Sequence, residues 1–254
     1  MVFFIDFEAT PIGYFTTNFN MKKIAAVTIA ICIAACIGVK AQGGANSLST
    51  TGITSGSGMA YNLTNKEDTK GSRYLFDTWV KGNVTDDKGN PVNSDNYTFN
   101  YDKVGGSLLV SQDKQTAIAA DKEHVKAFVV YDKNGSPMAF EYVPVIDATH
   151  YCQVLAAGSK FKVYKLIKTQ FVKADFKNNG LSSSGNKYDE YVDEAVYYVT
   201  DIKTSAPQKI SLKNKAIKQA FAADADKVAT FYKDHKDDDT DETFLAKLGA
   251  YLNQ

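Results

Sequence analysis

Four carboxylates in the segment 188–194, YDEYVDE, have residue types suited to catalysis. They are Asp189, Glu190, Asp193 and Glu194, and two tyrosines accompany them. A pair of carboxylates can act as acid and base in glycoside hydrolysis, and tyrosine rings can stack on sugars. The preceding residues are rich in Ser, Gly and Asn, and adjacent acids in such a loop usually face water. A carboxylate-dependent hydrolase is therefore an alternative, and we assign no catalytic residue.

A second acidic run, KDDDTDE at 236–242, alternates aspartates as some calcium loops do. An EF-hand starting at Asp237 needs glycine at its sixth position and glutamate at its twelfth. Those positions hold Glu242 and Leu248. The run instead predicts a solvated linker, in which Asp239 with Glu242 three residues later marks a helix start.

His150 and Cys152 lie two residues apart, which would place them on one face of a strand. Zinc requires three or four ligands, and the other histidines, His124 and His235, are distant in sequence. We expect Cys152 to be a buried, unreactive thiol. No phosphate-binding glycine loop or nucleophile elbow is present, so the sequence predicts neither a metal site nor a cofactor.

The elements that must position these residues are mostly strands. From Tyr74 onward, short runs rich in β-branched and aromatic residues alternate with turn residues. Gly105-Gly106 predicts a tight hairpin, and the short connections predict antiparallel neighbours. The predicted strand segments are YLFDTWVKGNV, YTFNYDKV, SLLVSQ, TAIAA, HVKAFVVYD, MAFEYVPVI, YCQVLAA, KFKVYKLIKTQFVKADF, AVYYVTDIK and QKISL.

The longest predicted strand begins at Phe161 and has apolar residues on both faces. Phe161 and Val163 share one face, whereas Tyr164 and Leu166 share the other. This pattern indicates either two covered faces or a bulge near Val163-Tyr164. We expect the strand to lie in a strongly curved antiparallel sheet or part-barrel.

From Asn214 the apolar spacing becomes helical. The pattern predicts two or three C-terminal helices that pack on the sheet, with a break near residues 222–224. Their apolar positions are Ile217, Phe221, Ala225, Val228, Phe231, Tyr232, Phe244, Leu245, Leu248, Tyr251 and Leu252. The fold class is therefore α+β, with a β-rich domain at 72–213 and helices at 214–254.

The N-terminal region has the composition of an export signal. Lys22 and Lys23 precede an apolar run of 16 residues, and small or compact residues precede a cleavage site after Ala41. We expect 21–41 to be a signal peptide and 1–20, which lacks Lys and Arg, to result from a mis-called start codon. The Gly/Ser-rich segment 42–71 predicts a flexible linker.

A second cleavage site remains open. Ile33-Ala34-Ala35-Cys36 resembles a bacterial lipobox, which would make Cys36 a lipidated N-terminus. No later apolar run approaches the roughly 20 residues that span a bilayer, so we expect no transmembrane helix after signal removal.

The balance of basic and acidic residues argues against a partner that binds mainly by strong electrostatic attraction. Cleavage after Ala41 leaves 213 residues with 26 basic and 27 acidic side chains. Arg73 is the single arginine of the sequence. A nearly neutral chain with one arginine provides no strong field to attract nucleic acid or an anionic membrane, and it lacks the arginine forks that favour phosphate and base recognition.

Several segments together resemble an uncharacterised family of exported Bacteroidota proteins. GSRYLFDTWVKGNV, FNYDKVGGSLLV and HVKAFVVYD are similar to three successive strands of that family, and the tail KISLKNKAIKQAF to LGAYLN is similar to its helical end. The resemblance covers roughly residues 71 to 254. The resemblance implies an exported protein of Bacteroidota lineage. It supplies no catalytic residue.

We therefore expect an exported protein of the envelope, periplasm, outer-membrane surface or cell exterior, with a non-enzymatic binding or structural role. The alternative is a surface lipoprotein anchored at Cys36 for glycan or nutrient capture. A binding role requires an exposed aromatic patch. Catalysis requires a cleft in which carboxylates converge.

Overall fold

The computed structural model describes residues 59–60, 63 and 69–254. The predicted signal peptide, the predicted mis-called start and Cys36 lie outside the described residues. The strands of the described part are β1 Met59–Ala60, β2 Thr69–Lys70, β3 Gly82–Asp86, β4 Pro91–Val92, β5 Thr98–Asp102, β6 Ser107–Ser111, β7 Thr116–Ala119, β8 Val125–Tyr131, β9 Pro137–Tyr142, β10 Tyr151–Ala157, β11 Phe161–Val172, β12 Lys177–Asn178, β13 Ser183–Ser184, β14 Asp189–Asp201 and β15 Pro207–Ile210. The helices that follow are α1 Asn214–Ala220, α2 Ala225–Asp234 and α3 Glu242–Leu252.

The strands form a large sheet, a small sheet and a two-stranded ribbon. The large sheet has the order β15-β14-β11-β10-β9-β8-β3-β4, with β2 also paired to β14. The small sheet has the order β1-β7-β6-β5, and β12 pairs with β13. This arrangement confirms a β-rich fold with its helices at the C-terminal end. The large sheet is mixed because β2 runs parallel to β14. None of the described sheets is strongly curled or closed, so the predicted strong curvature is not confirmed.

Two features of the structure account for the apolar residues on both faces of β11. Phe161 and Val163 pack against the helices, whereas Tyr164 and Leu166 pack in a separate cluster on the opposite face. The register between β10 and β11 also shifts, because β10 carries an extra residue between Val154 and Ala156. The irregularity thus lies in the partner strand, and it bends the ladder only locally.

The three helices cover one face of the large sheet. Their buried positions follow the predicted spacing except at Ala225, which is exposed. A single 3-10 turn at Ala222–Asp224 occupies the predicted break. One detail of the prediction was wrong, because Asp241 rather than Asp239 caps the last helix. Its carboxylate accepts a 2.8 Å hydrogen bond from the backbone N–H of Phe244. Several acids in a row can each provide a cap, and packing of the helix decides which one does.

The small sheet covers the neighbouring part of the large sheet. Tyr101 of β5 contacts Phe140 of β9, with ring centroids 5.2 Å apart, and Phe140 stacks on Phe128 of β8 at 4.8 Å. β5 and β6 form the predicted hairpin, but its loop spans four residues, 103–106, rather than the glycine pair alone. This loop carries Lys103 towards β14.

Candidate functional site

β11 and β14 continue beyond the rest of the large sheet as a two-stranded arm, defined here as residues 166–196. β10 pairs with β11 only over the registered positions Lys162 to Lys165. β11 and β14 remain paired with each other as far as Val172 and Glu190. Strand β2 adds two residues at Asp189 and Glu190. The arm therefore positions the whole predicted acidic cluster.

One face of the arm is fixed to the small sheet. Asp193 accepts a 2.6 Å hydrogen bond from the hydroxyl of Thr169 on the paired strand. Its second carboxylate oxygen lies 2.6 Å from the ammonium group of Lys103. The Lys103 side chain is only 9% exposed. Because a buried ammonium requires a counter-charge, Asp193 is the residue that makes burial of Lys103 tolerable.

The other face of the arm is fixed to the loop between β9 and β10. The carboxylate of Asp147 lies 2.9 Å from the ammonium group of Lys168 on β11. It also accepts hydrogen bonds from the backbone N–H and hydroxyl of Thr149 and from the backbone N–H of His150. Burial raises the pKa of Asp147, but hydrogen bonds from Thr149, Lys168 and His150 outweigh burial and hold that pKa well below its usual range.

The structure does not bring the four predicted carboxylates together. Strand alternation places Asp189 and Asp193 on one face of β14 and Glu190 and Glu194 on the other. Asp189 accepts a 2.8 Å hydrogen bond from the backbone N–H of Ala174, which closes the start of the loop. Asp189 and Asp193 thus have structural partners, and the arrangement gives no pair of carboxylates facing a common substrate position.

The other predicted chemical groups also have structural partners. Cys152 is fully buried, as expected, and burial, with smaller effects of Asp147 and Glu141, raises the pKa of its thiol to about 12. The ring of His150 contacts Asp147 and Thr149. Within residues 59–60, 63 and 69–254, no group of three or more His, Cys, Asp or Glu side chains is arranged to hold a metal ion.

The end of the arm, residues 173–188, forms an ordered tip. The amides of Asp175 and Phe176 donate to the carbonyl of Asn186, and the Asp175 carboxylate accepts from the Asn186 amide at 2.7 Å. Beyond them, β12 and β13 pair across the apex loop 179–182. Gly180 in this loop has φ +81°, a conformation that glycine adopts without steric cost.

Exposed apolar side chains concentrate on this end of the arm. Seven large hydrophobic residues are exposed in the described part of the chain, and five of them lie between positions 171 and 192. The side chain of Leu181 at the apex is fully exposed. The others are Phe171, Phe176, Tyr188 and Val192. Phe171 and Val192 lie on opposite faces of the arm, because Phe171 pairs with Tyr191. The five side chains therefore share one projecting element rather than one face, and their exposure there favours contact with a partner.

Lysines accompany the exposed rings. The ammonium group of Lys187 lies 5.2 Å from the centroid of the Phe176 ring. That of Lys70, on β2, lies 4.6 Å from the centroid of the Tyr188 ring. Both are cation–π contacts. The tip carries Lys173, Lys177 and Lys187 against a single acid, Asp175, and thus has a net charge of +2.

The segment from Lys177 onward, rich in Ser, Gly and Asn, predicts a polar loop and gives no indication of this surface. The Asn179-Gly180 pair is a turn signal that could have indicated a hairpin apex. The isolated Leu181 among Ser, Asn and Gly was the second available signal. Neither signal reveals the exposed rings of Phe176 and Tyr188, because one ring precedes the apex loop in the chain and the other follows it.

None of the helices described is both long enough and apolar enough to cross a membrane. Comparison of the chain with protein-family models, with curated proteins and with solved structures gives no match. The site is therefore interpreted from its own geometry: a projecting arm, fixed at its base on both faces, with an apolar and cationic tip.

Proposed function

We propose that this protein is exported to the bacterial envelope or cell exterior and acts there by binding, without catalysis, through the tip of its arm. The observation that carries the proposal is the concentration of exposed apolar side chains on residues 171–192. Exposing such side chains costs solvation free energy, which a contact partner would recover. The contacts of Lys103 and Lys168 at the base support the same interpretation, because they hold the arm in place.

The export part of the proposal is tested by the mature N-terminus. The gene is expressed from Met21 in a Bacteroidota host, and the intact mass of the mature protein is measured. A chain beginning at Gln42 supports a soluble exported protein. A chain beginning at an acylated Cys36 supports the lipoprotein alternative and keeps the binding role. A chain that retains Met21 contradicts export.

The contact part is tested by site-specific photo-crosslinking in intact cells. A benzophenone amino acid replaces Leu181 at the apex or, as a matched control, Asn134 in the exposed turn between β8 and β9. Adducts are identified by mass. We expect adducts from position 181 that position 134 does not give. The same adducts from both positions, or none from position 181, would contradict a contact role for the tip.

A further inference from the structure

At the apex of the arm, a paired hairpin exposes the side chain of Leu181. β12 and β13 pair at Asn178 and Ser183, and the amide of Gly180 donates to the Asn178 side chain at 2.9 Å. These bonds satisfy backbone groups on both sides of Leu181, whose side chain is fully exposed. A hairpin apex with its own internal hydrogen bonds can enter a poorly hydrated environment without leaving those groups unpaired.

Two aromatic rings and two ammonium groups lie behind the apex. Phe176 and Tyr188 are partly exposed, and Lys187 and Lys70 lie over their rings. Aromatic side chains and lysines with long apolar stems are the residues that favour the boundary between lipid tails and headgroups. The order along the arm is therefore one exposed leucine at an otherwise polar apex, followed by aromatic and cationic side chains.

Charge separates the tip from the base of the arm. The tip has a net charge of +2, whereas the next residues of β14 include Asp189, Glu190, Asp193 and Glu194. A second copy of the chain meeting tip to tip would bring two +2 surfaces together. A neutral sugar would gain nothing from the positive charge of the tip. The chain as a whole is formally neutral and gives no such attraction, but the local charge of +2 on the tip matches an anionic surface.

We propose that the tip docks on the surface of an anionic lipid bilayer, with Leu181 inserted among the acyl chains and Lys173, Lys177 and Lys187 among the headgroups. This inference rests on the proposed contact role of the tip and names its partner. Burial of one leucine and the attraction of three lysines to anionic lipid give a weak, reversible and salt-sensitive association. Fixation of the base directs the tip outward for this contact.

The test measures binding of the mature protein to vesicles by co-sedimentation. The Cys36→Ser form is used so that no attached acyl chain contributes. One vesicle type is phosphatidylcholine alone, and the other is phosphatidylcholine mixed with phosphatidylglycerol. We expect binding to the mixed vesicles only, and loss of binding as salt is raised. Leu181→Ser and the double variant Lys177→Glu, Lys187→Glu should each weaken binding about tenfold or more.

Val145→Ser is the matched control, because Val145 is an exposed apolar residue outside the arm, and its binding should equal that of the parent. A tryptophan placed at position 181 should shift its emission to the blue with mixed vesicles, whereas one at position 134 should not. Absence of binding to mixed vesicles, or equal binding by Leu181→Ser, overturns the lipid assignment. If position 181 still gives crosslinks to another partner in cells, the contact role survives; if it gives none, both proposals fail.

Discussion

The two halves of β11 show how one strand serves two purposes. The first half, from Phe161 to Leu166, has a buried cluster on each face. The second half loses its β10 neighbour and ends at Phe171, which is exposed, and Val172, which is partly buried. The pairing with β14 is unbroken along both halves. Backbone pairing therefore fixes the strand, and what covers its faces distinguishes core from surface.

The comparison also separates two kinds of stabilisation. In the helix-covered half, large side chains such as Phe221 and Leu248 are removed from water. At the base of the arm, the contacts are polar: Lys103 with Asp193, and Lys168 with Asp147. Apolar burial contributes to global stability, whereas a few polar contacts fix the direction of an element. Four substitutions can break or sharpen this distinction.

The largest effect is expected in the helix-covered half. Phe244 is 2% exposed and its ring contacts Phe231 and Tyr232. Phe244→Ala removes most of this buried area and leaves a cavity, so we expect the free energy of unfolding to fall by about 3–5 kcal/mol. Urea denaturation measures the change. Phe171→Ala on the arm, where the ring is half exposed, is the control; an equal loss there would contradict the comparison.

The next effect concerns the polar base of the arm and depends on pH. The pKa of Asp147 is lowered in the folded protein, so its ionised form contributes stability above the unfolded carboxyl pKa of about 3.9. This contribution is lost as pH falls below that value through the folded pKa. Asp147→Asn should lower the free energy of unfolding at neutral pH by about 1–3 kcal/mol, because a neutral amide accepts the hydrogen bonds of Thr149 and His150 less well than the ionised carboxylate does. The exposed Lys168 adds little to this loss.

The pH profile distinguishes this ionic role from a purely steric one. Urea denaturation of the parent and of Asp147→Asn is compared at neutral pH and near pH 3. The difference between the two proteins should shrink on acidification, since near pH 3 the carboxyl of Asp147 is largely protonated in the unfolded parent while its lowered pKa keeps it ionised in the folded parent. Asp132→Asn, in the exposed turn between β8 and β9, is the control variant. A difference that stays constant with pH would assign Asp147 a role independent of its charge.

A smaller, local effect is expected at the opposite face of the arm. Lys103→Met keeps the apolar stem but removes the charge that faces Asp193, whose carboxylate is 47% exposed. Because solvent screens such a pair, the global change should be about 1 kcal/mol or less. Amide hydrogen exchange over residues 189–196 should accelerate severalfold, as the arm base opens more often. Lys133→Met, in the β8–β9 turn, is the control and should leave exchange over residues 189–196 unchanged. If Lys103→Met also left that exchange unchanged, the contact between Lys103 and Asp193 would not fix the arm.

The helices were predictable from sequence because their signal is local. Apolar residues from Ile217 to Leu252 recur at helical spacing, and helix periodicity requires no knowledge of the partner. The cap was harder, because Asp237, Asp239 and Asp241 all have the required side chain. Only the position at which α3 contacts the sheet decides among them.

The arm could not be predicted in the same way. β14 begins in YDEYVDE, whose acids are typical of a loop, yet the segment is a strand because it pairs with β11 along its length. Asp193 meets Lys103, which lies 90 residues earlier in the chain. Strands β1 and β2 are two residues each and fall within the predicted linker 42–71. Long-range pairing defines all of these features, and a local pattern carries no information about it.

The smallest effect on stability should come from the residue most important for the proposed contact. Leu181 is fully exposed, so Leu181→Ser removes no buried area and should change the free energy of unfolding by less than about 0.5 kcal/mol. Replacing an exposed leucine by serine should also improve solubility, because it removes apolar surface from water. Equal urea midpoints with a loss of vesicle binding would show that the leucine serves a partner rather than the fold. A marked loss of stability would instead mean that Leu181 packs against the chain, and the apex would then not be free to insert.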